Sequence, residues 1–476
     1  MVETLKNILP VLPETILFFF AVLSLPAGVY AAPAKAKQKA DRLIYTGMLS
    51  AFAVLCLIDV PAGGLSINFP GFVLDRFALW LKKILLIGGA AALAFASDWL
   101  KYKKYSRFEF APLLAFCMTG MMLTVSARTF LVQFLGLEMM HFPLLFLTAY
   151  KRQGERSTEA GTKYVVMVFL SSGLYLFGVS VLYACLGTLD FDRLAAADKQ
   201  TIMPALLWGL SFIAAGLFLK IGAAPFHSWA ADVYEGAPSP VTALFAMLVR
   251  LPVIAALARV VLEPFASLTF YGQPVLSTVA VLSVCIGGFG AIVQTNIKRL
   301  TAYTVIVLNG FALSALVVRS AVLLQFALAI DLVMLAGMSA VVLSLRIGDE
   351  LSEEIRVLSG QGQTKPVRGG LFALIFLGLA GAPPFAGFWT RFWLFKETAV
   401  SGMIFFSVLL MLGGLLIMYV YLKLIRQMYM VPAKEELSFA PAPMKIVIVL
   451  SAVLSAVSFV AAEPLLHAVQ AAIMSF

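Results

Sequence analysis

Apolar stretches of about 20 residues, the length that crosses a hydrocarbon core as a helix, alternate with short polar connections from one end of the chain to the other. The stretches around Phe18, Ala51, Leu86, Cys117, Leu137, Leu174 and Ile213, and those around Leu251, Cys285, Leu308, Val333, Leu379, Leu410 and Leu454, predict about fourteen helical spans. The short alternating segments of a membrane β-barrel are absent. The pattern defines an all-α, polytopic membrane protein. The first span is read as retained rather than cleaved, although "AGVYAAPA" offers small residues at its end. Glu14 and two prolines spoil the apolar region that a signal peptide needs, and a basic cluster follows it.

Composition strengthens this picture. Of the 476 residues, 61% are hydrophobic and only 13% charged, against about 25% charged in soluble domains. The net charge of +10 is explained by topology without calling on nucleic acid. Basic residues collect in the odd-numbered connections: Lys35, Lys37, Lys39 and Arg42; Lys101, Lys103, Lys104 and Arg107; Lys151, Arg152 and Arg156; Lys298 and Arg299; Arg346 to Arg368; and Lys423 to Lys445. That bias places the odd connections in the cytoplasm and both termini on the periplasmic side of a plasma membrane. The longest polar connection, "RIGDELSEEIRVLSGQGQTKPVR", reads as a solvated cytoplasmic loop with a short amphipathic piece. Its "GQGQTK" lacks the Gly before Lys that a phosphate loop requires. The four cysteines are dispersed in apolar segments with no C-x-x-C pair. With no Rossmann or metal motif either, the chain is expected to hold no cofactor or metal.

The informative residues are ionisable groups inside spans, where a charge costs at least about 2.5–3.5 kcal/mol and needs a partner or water. Glu138 lies in "FLVQFLGLEMMHFPLLFL", Lys163 in "EAGTKYVVMVFL", Lys220 late in span seven, Arg250 in span eight and Arg391 in span twelve; Asp75, Lys82, Lys83 and Asp331 are further cases. Lys163 can alternatively snorkel to the interface, Lys82 and Lys83 can be an interfacial pair, and Arg250 and Arg391 can tie backbone carbonyls or carboxylates. His141 reads as a packed histidine. In "KIGAAPFHSWAADVYEGAPSP", Pro225 breaks span seven between Lys220 and His227. Broken backbone at membrane depth persists only beside protein or water, which makes Lys220 a titratable group at a polar break. A Lys220–Glu138 pair would change protonation when its partner moves, and His227 can pass protons near neutral pH. "GAPPFAGFW" repeats the device in span twelve, ahead of Arg391.

The segments "LPETILFFFAVL", "FLGLEMMHFPLLFLTAYKR", "EAGTKYVVMVFLSSGLYLFG", "APFHSWAADVYEGAPSPVTALFA", "QTNIKRLTAYTVI" and "GLAGAPPFAGFWTRFWLF" resemble, in order and over nearly the whole chain, subunit N of respiratory complex I, the proton-pumping NADH:quinone oxidoreductase. "DVYEGAP" is close to the form in subunit N, where subunits L and M and the Mrp antiporters usually differ. The resemblance implies helices 1–3 over residues 1–107, two inverted five-helix repeats over 108–262 and 263–430, and a last helix over 431–476. It implies a membrane-arm subunit, partnered by other membrane subunits, that moves protons while NADH, FMN, iron–sulfur clusters and quinone act in partner subunits. It makes Glu138 and Lys220 the central pair, Lys163 its modulator and His227 the link. Three positions depart from the family pattern: Arg250 and Arg391 stand where lysines are usual, and Leu308 where a histidine is frequent. Because guanidinium does not deprotonate in proteins, the second half is expected to supply charge rather than relay protons. A Mrp-like cation/proton antiporter, a membrane hydrogenase subunit and a non-pumping structural subunit are the alternatives.

Overall fold

A computed structural model describes residues 9–58, 67–103, 107–151, 154–197, 203–348, 350–433, 437–438 and 441–473. Lys104, Arg152 and Lys434, counted above among the loop charges, lie outside them. The chain packs as two compact units, one of residues 1–221, 248–272 and 470–476, the other of 222–247 and 273–469.

The first unit contains α1 (Leu12–Val29), α2 (Pro33–Leu57), α3 (Arg76–Tyr102), α4 (Phe110–Val125), α5 (Phe130–Thr148), α6 (Glu155–Leu186) and α7 (Met203–Ile221). The second contains α8 (Ser228–Gly236). The helix Ser239–Leu262 is α9, whose first part belongs to the second unit and whose later part belongs to the first. Then follow α10 (Thr269–Ile292), α11 (Ile297–Val317), α12 (Ala321–Ser344), α13 (Pro366–Ala380), α14 (Ala386–Val400), α15 (Ile404–Met430) and α16 (Ala442–Ile473).

Among the described residues, eleven helices are long and apolar enough to cross a membrane, and Phe110–Val125, Pro366–Ala380 and Ala442–Ser458 are shorter apolar helices. Burial separates them by role. The most apolar window of α9 is 100% buried and that of α11 94%, whereas in α1 it is 33%. A helix apolar on every side is a core helix or faces lipid; α9 and α11 are the first kind. The outer faces of α1, α5 and α6 expose Phe19, Phe142 and Phe169, as lipid-facing surfaces do.

Side-chain caps start several helices where the sequence offers them. Asp75 accepts from the Ala78 amide at α3, Thr129 from Val132 at α5, and Asn296 from Lys298 at α11. Spans seven and twelve are broken as expected, but not first by their prolines. Each helix ends at a left-handed glycine, Gly222 (φ 66°) after α7 and Gly381 (φ 67°) after α13, the conformation that terminates a helix without a Cβ penalty. Pro225 and Pro384 sit three residues later and keep the helix from resuming.

Two expectations are corrected. The connection 346–368 is not simply a solvated loop: it forms a hairpin, β1 (Arg346–Ile347) with β2 (Glu350–Leu351), then a 3-10 turn at Ile355–Leu358 and a short helix at Gln361–Thr364. Ile355, Val357, Leu358 and Gln361 are buried. Lys82 is not interfacial. It is fully buried and pairs with buried Glu14 of α1 at 2.5 Å.

Candidate functional site

Helices α6 and α7 meet along a seam of small residues. A Cβ at Gly178 would fall against the Gly209 carbonyl, and one at Gly216 would lie 2.7 Å from the Ser171 carbonyl oxygen. Glycine therefore permits the backbone approach. The approach delivers Lys220, at the end of α7, to Ser172 of α6 and Glu138 of α5. The Lys220 ammonium is 3.0 Å from Ser172 Oγ and 3.3 Å from Glu138 Oε1, and the Ser172 hydroxyl donates to that same carboxylate oxygen. The Lys220 side chain has no exposure, while Glu138 keeps 30%. One face of the carboxylate is thus open, and the ammonium is enclosed.

Two further buried polar contacts lie on the same helices. His141 Nδ1 lies 2.7 Å from the Tyr164 hydroxyl, and both residues are fully buried. The Tyr175 hydroxyl donates to Gln133, whose amide donates to the Ala256 carbonyl of α9. Lys163 is placed differently from Lys220. It is exposed and pairs at 2.8 Å with Glu159, one turn earlier on α6.

In the second unit His227 is half-buried just before α8, with Nδ1 3.3 Å from the Pro225 carbonyl. Arg391 of α14 fits the tie reading: its guanidinium forks onto the Leu379 and Ala380 carbonyls at the end of α13. These are orphan acceptors of a terminated helix, so the arginine caps the break it follows. The guanidinium also lies over the Phe311 ring and beside an apolar cavity of about 440 Å³ lined by Phe388, Phe392, Leu410 and Met411. Leu308 is buried with no titratable group in its place. Arg250, in the first unit, is buried and follows a π-helical turn at Phe245–Val249. Such turns mark local departures from regular helix, and the sequence pattern did not signal this one.

Sequence reasoning missed three polar groupings. Ser172 carried only the weak signal of a serine pair in an apolar helix. Lys298 and Arg299 were read as loop charges, yet Lys298 is 3% exposed and both face the end of α8. Arg259, in the apolar last third of α9, is fully buried. It binds both Asp75 oxygens, Glu263 and the Val125 carbonyl. Burial pushes the Glu263 carboxyl up from its ordinary range, against the pull of Arg259.

A helix broken at a left-handed glycine, a buried lysine at its end and a carboxylate on a neighbouring helix define an antiporter-like membrane subunit. Residues 127–417 match the NADH:quinone oxidoreductase/Mrp antiporter transmembrane family. The chain belongs to this family, and nearly full-length relatives are named NADH-quinone oxidoreductase subunit N. That of Rhodospirillum rubrum is 36% identical over 477 residues, covering 97% of this chain and 96% of the relative. Among solved structures, a chain of respiratory complex I from Thermus thermophilus superposes with a TM-score of 0.82 at 28% identity, over 96% of this chain and 99% of that one. A chain of the Mrp complex from Dietzia sp. has the same fold, with a TM-score of 0.82 at 19% identity over 99% and 97%.

Proposed function

We propose that the chain is the subunit N-type membrane subunit of a NADH:quinone oxidoreductase, moving protons across a bacterial inner membrane while partner subunits carry electrons from NADH to quinone. The observation that supports this best is the enclosed Lys220 ammonium held by Ser172 and the half-open Glu138 carboxylate. While Glu138 remains charged and close, it stabilises the ammonium. If the carboxylate is drawn to another partner, the buried ammonium loses its compensation and releases a proton. His227, seven residues along the chain, keeps the linking role that the resemblance gives it. Lys163 adjusts the pair through the local field. Arg250 and Arg391 supply fixed positive charge, since guanidinium holds its proton.

In this reading α7 with α8, and α13 with α14, each make one span. Counted this way the described residues make fourteen; the same reading puts both termini on the periplasmic side and inverted repeats over 108–262 and 263–430. NADH, FMN, iron–sulfur clusters and quinone belong to partner subunits. The test is purification of the native complex. Co-purification with redox subunits, and no NADH oxidation by the isolated chain, is expected. Co-purification with cation/proton antiporter subunits alone would overturn the assignment.

A further inference from the structure

The half-helix α8 begins beside His227 and ends at Gly236, where its last carbonyls need partners. Two cations from the start of α11 reach this end, Lys298 its carbonyls and Arg299 its carboxylates. Lys298 Nζ donates to the Glu235 and Ala237 carbonyls at 3.2 and 2.9 Å. Arg299 Nη1 reaches both acids of the half-helix, Asp232 at 3.0 Å and Glu235 at 2.8 Å. Asn296 donates to Glu235 as well, at 3.3 Å. The motifs "DVYEGAP" and "QTNIKRL" are thus two sides of one contact. A third side comes from the long connection. Glu353 pairs with Lys298 at 2.7 Å and accepts from Asn296. The backbone seals the joint: the Ile297 amide donates to the Glu353 carbonyl and the Ile355 amide to the Thr295 carbonyl.

Cations at a helix C-terminus satisfy its carbonyls and complement its dipole. Here Lys298 satisfies carbonyls and Arg299 adds positive charge at the end opposite the break, while the break itself is held at Ala224, whose amide donates to Ser283 of α10 at 2.9 Å. The half-helix is therefore fixed at both ends.

We propose that Arg299 and Lys298, braced by Glu353, are positioning residues for proton movement: they hold the half-helix so that His227 keeps a fixed place beside the break. The inference rests on the proton-moving role assigned above. Arg299 acts through the half-helix. A lysine at 299 would reach one of the two acids but could not copy a contact made to both.

The test uses the assembled complex carrying Arg299→Gln or Arg299→Lys, with two readouts. Amide hydrogen exchange over residues 228–236 should rise about tenfold for Arg299→Gln, as a local tie is lost. Protons moved per electron pair should fall while NADH oxidation per assembled complex is retained. Arg299→Lys should lie between wild type and Arg299→Gln on both. Unchanged exchange would show that the clamp does not hold the half-helix. Raised exchange with wild-type stoichiometry would show a structural tie only. Either result overturns the proposal. If Arg299→Gln does not assemble, Glu353→Gln removes only the brace. It should give a smaller rise in exchange with a smaller loss of stoichiometry, and wild-type values for both would be equally fatal. Glu138→Ala separates the two levels of argument. Lost pumping there, with normal pumping in Arg299→Gln, refutes the clamp alone; normal pumping in both refutes the proton-moving reading itself.

Discussion

Removing one charge of the Lys220–Glu138 pair should have unequal effects depending on which is removed. At 3.3 Å and an effective dielectric of about 20, two unit charges attract by about 5 kcal/mol, an upper bound on the Coulombic part alone. Deleting one member of a buried pair costs roughly 3–5 kcal/mol, because the other is left uncompensated. Glu138→Gln leaves the fully enclosed Lys220 as the orphan, and the upper part of that range applies until the lysine gives up its proton. Lys220→Met leaves Glu138, which keeps its Ser172 hydrogen bond and 30% exposure. Its penalty should be well below about 3 kcal/mol. Both variants should lose proton translocation per electron pair. In thermal denaturation of the purified complex, Glu138→Gln should lower the transition more. Wild-type stoichiometry in both variants would refute the pair as the proton switch. A larger destabilisation in Lys220→Met would refute the burial argument.

The other predictions concern single contacts. Arg391→Lys keeps the charge but cannot fork onto both the Leu379 and Ala380 carbonyls, so the complex should lose about 1.5–3 kcal/mol, the worth of one hydrogen bond to a charged group, read as a lower melting temperature. Gly216→Ala places a methyl group 2.7 Å from the Ser171 carbonyl oxygen and should cost about 1–3 kcal/mol by overpacking; a pumping activity and melting temperature equal to wild type would contradict the seam. Arg259→Gln takes the cationic partner from two carboxylates at once and should reduce the amount of assembled subunit in membranes, measured by immunoblot. Impermeant thiol labelling from the periplasmic side should modify Phe476→Cys and spare Lys103→Cys, and the opposite pattern would reverse the orientation.

Much of this was legible in the sequence because bilayer physics is strict. Apolar run length located the helices, and a charge inside such a run had to be paired, which singled out Glu138 and Lys220. The proline echo at 225 and 384 found both breaks. What the sequence hid has two causes. Glycine acts through backbone approach, so Gly216 and Gly222 look like any other glycine until a neighbour is placed against them. Charges near helix ends read as solvent-exposed by default, which is why Lys298, Arg299 and Glu353 passed as loop residues although they are knitted to the end of α8. Arg259 shows the converse, a full charge in an apolar stretch whose partners, Asp75 and Val125, lie more than a hundred residues earlier in the chain.

The buried Glu14–Lys82 pair has a consequence for how the protein is made. Glu14 belongs to α1 and Lys82 to α3, and the ammonium also holds the Pro10 carbonyl at the entry to α1. A lone charge at the centre of a membrane helix costs about 2.5–3.5 kcal/mol on insertion scales; Glu14, in the first turn of α1, carries part of that cost, and synthesis delivers α1 to the membrane well before α3 exists. Until Lys82 arrives, the Glu14 carboxylate has no cation to pair with. The final placement of α1 is therefore tied to the arrival of α3.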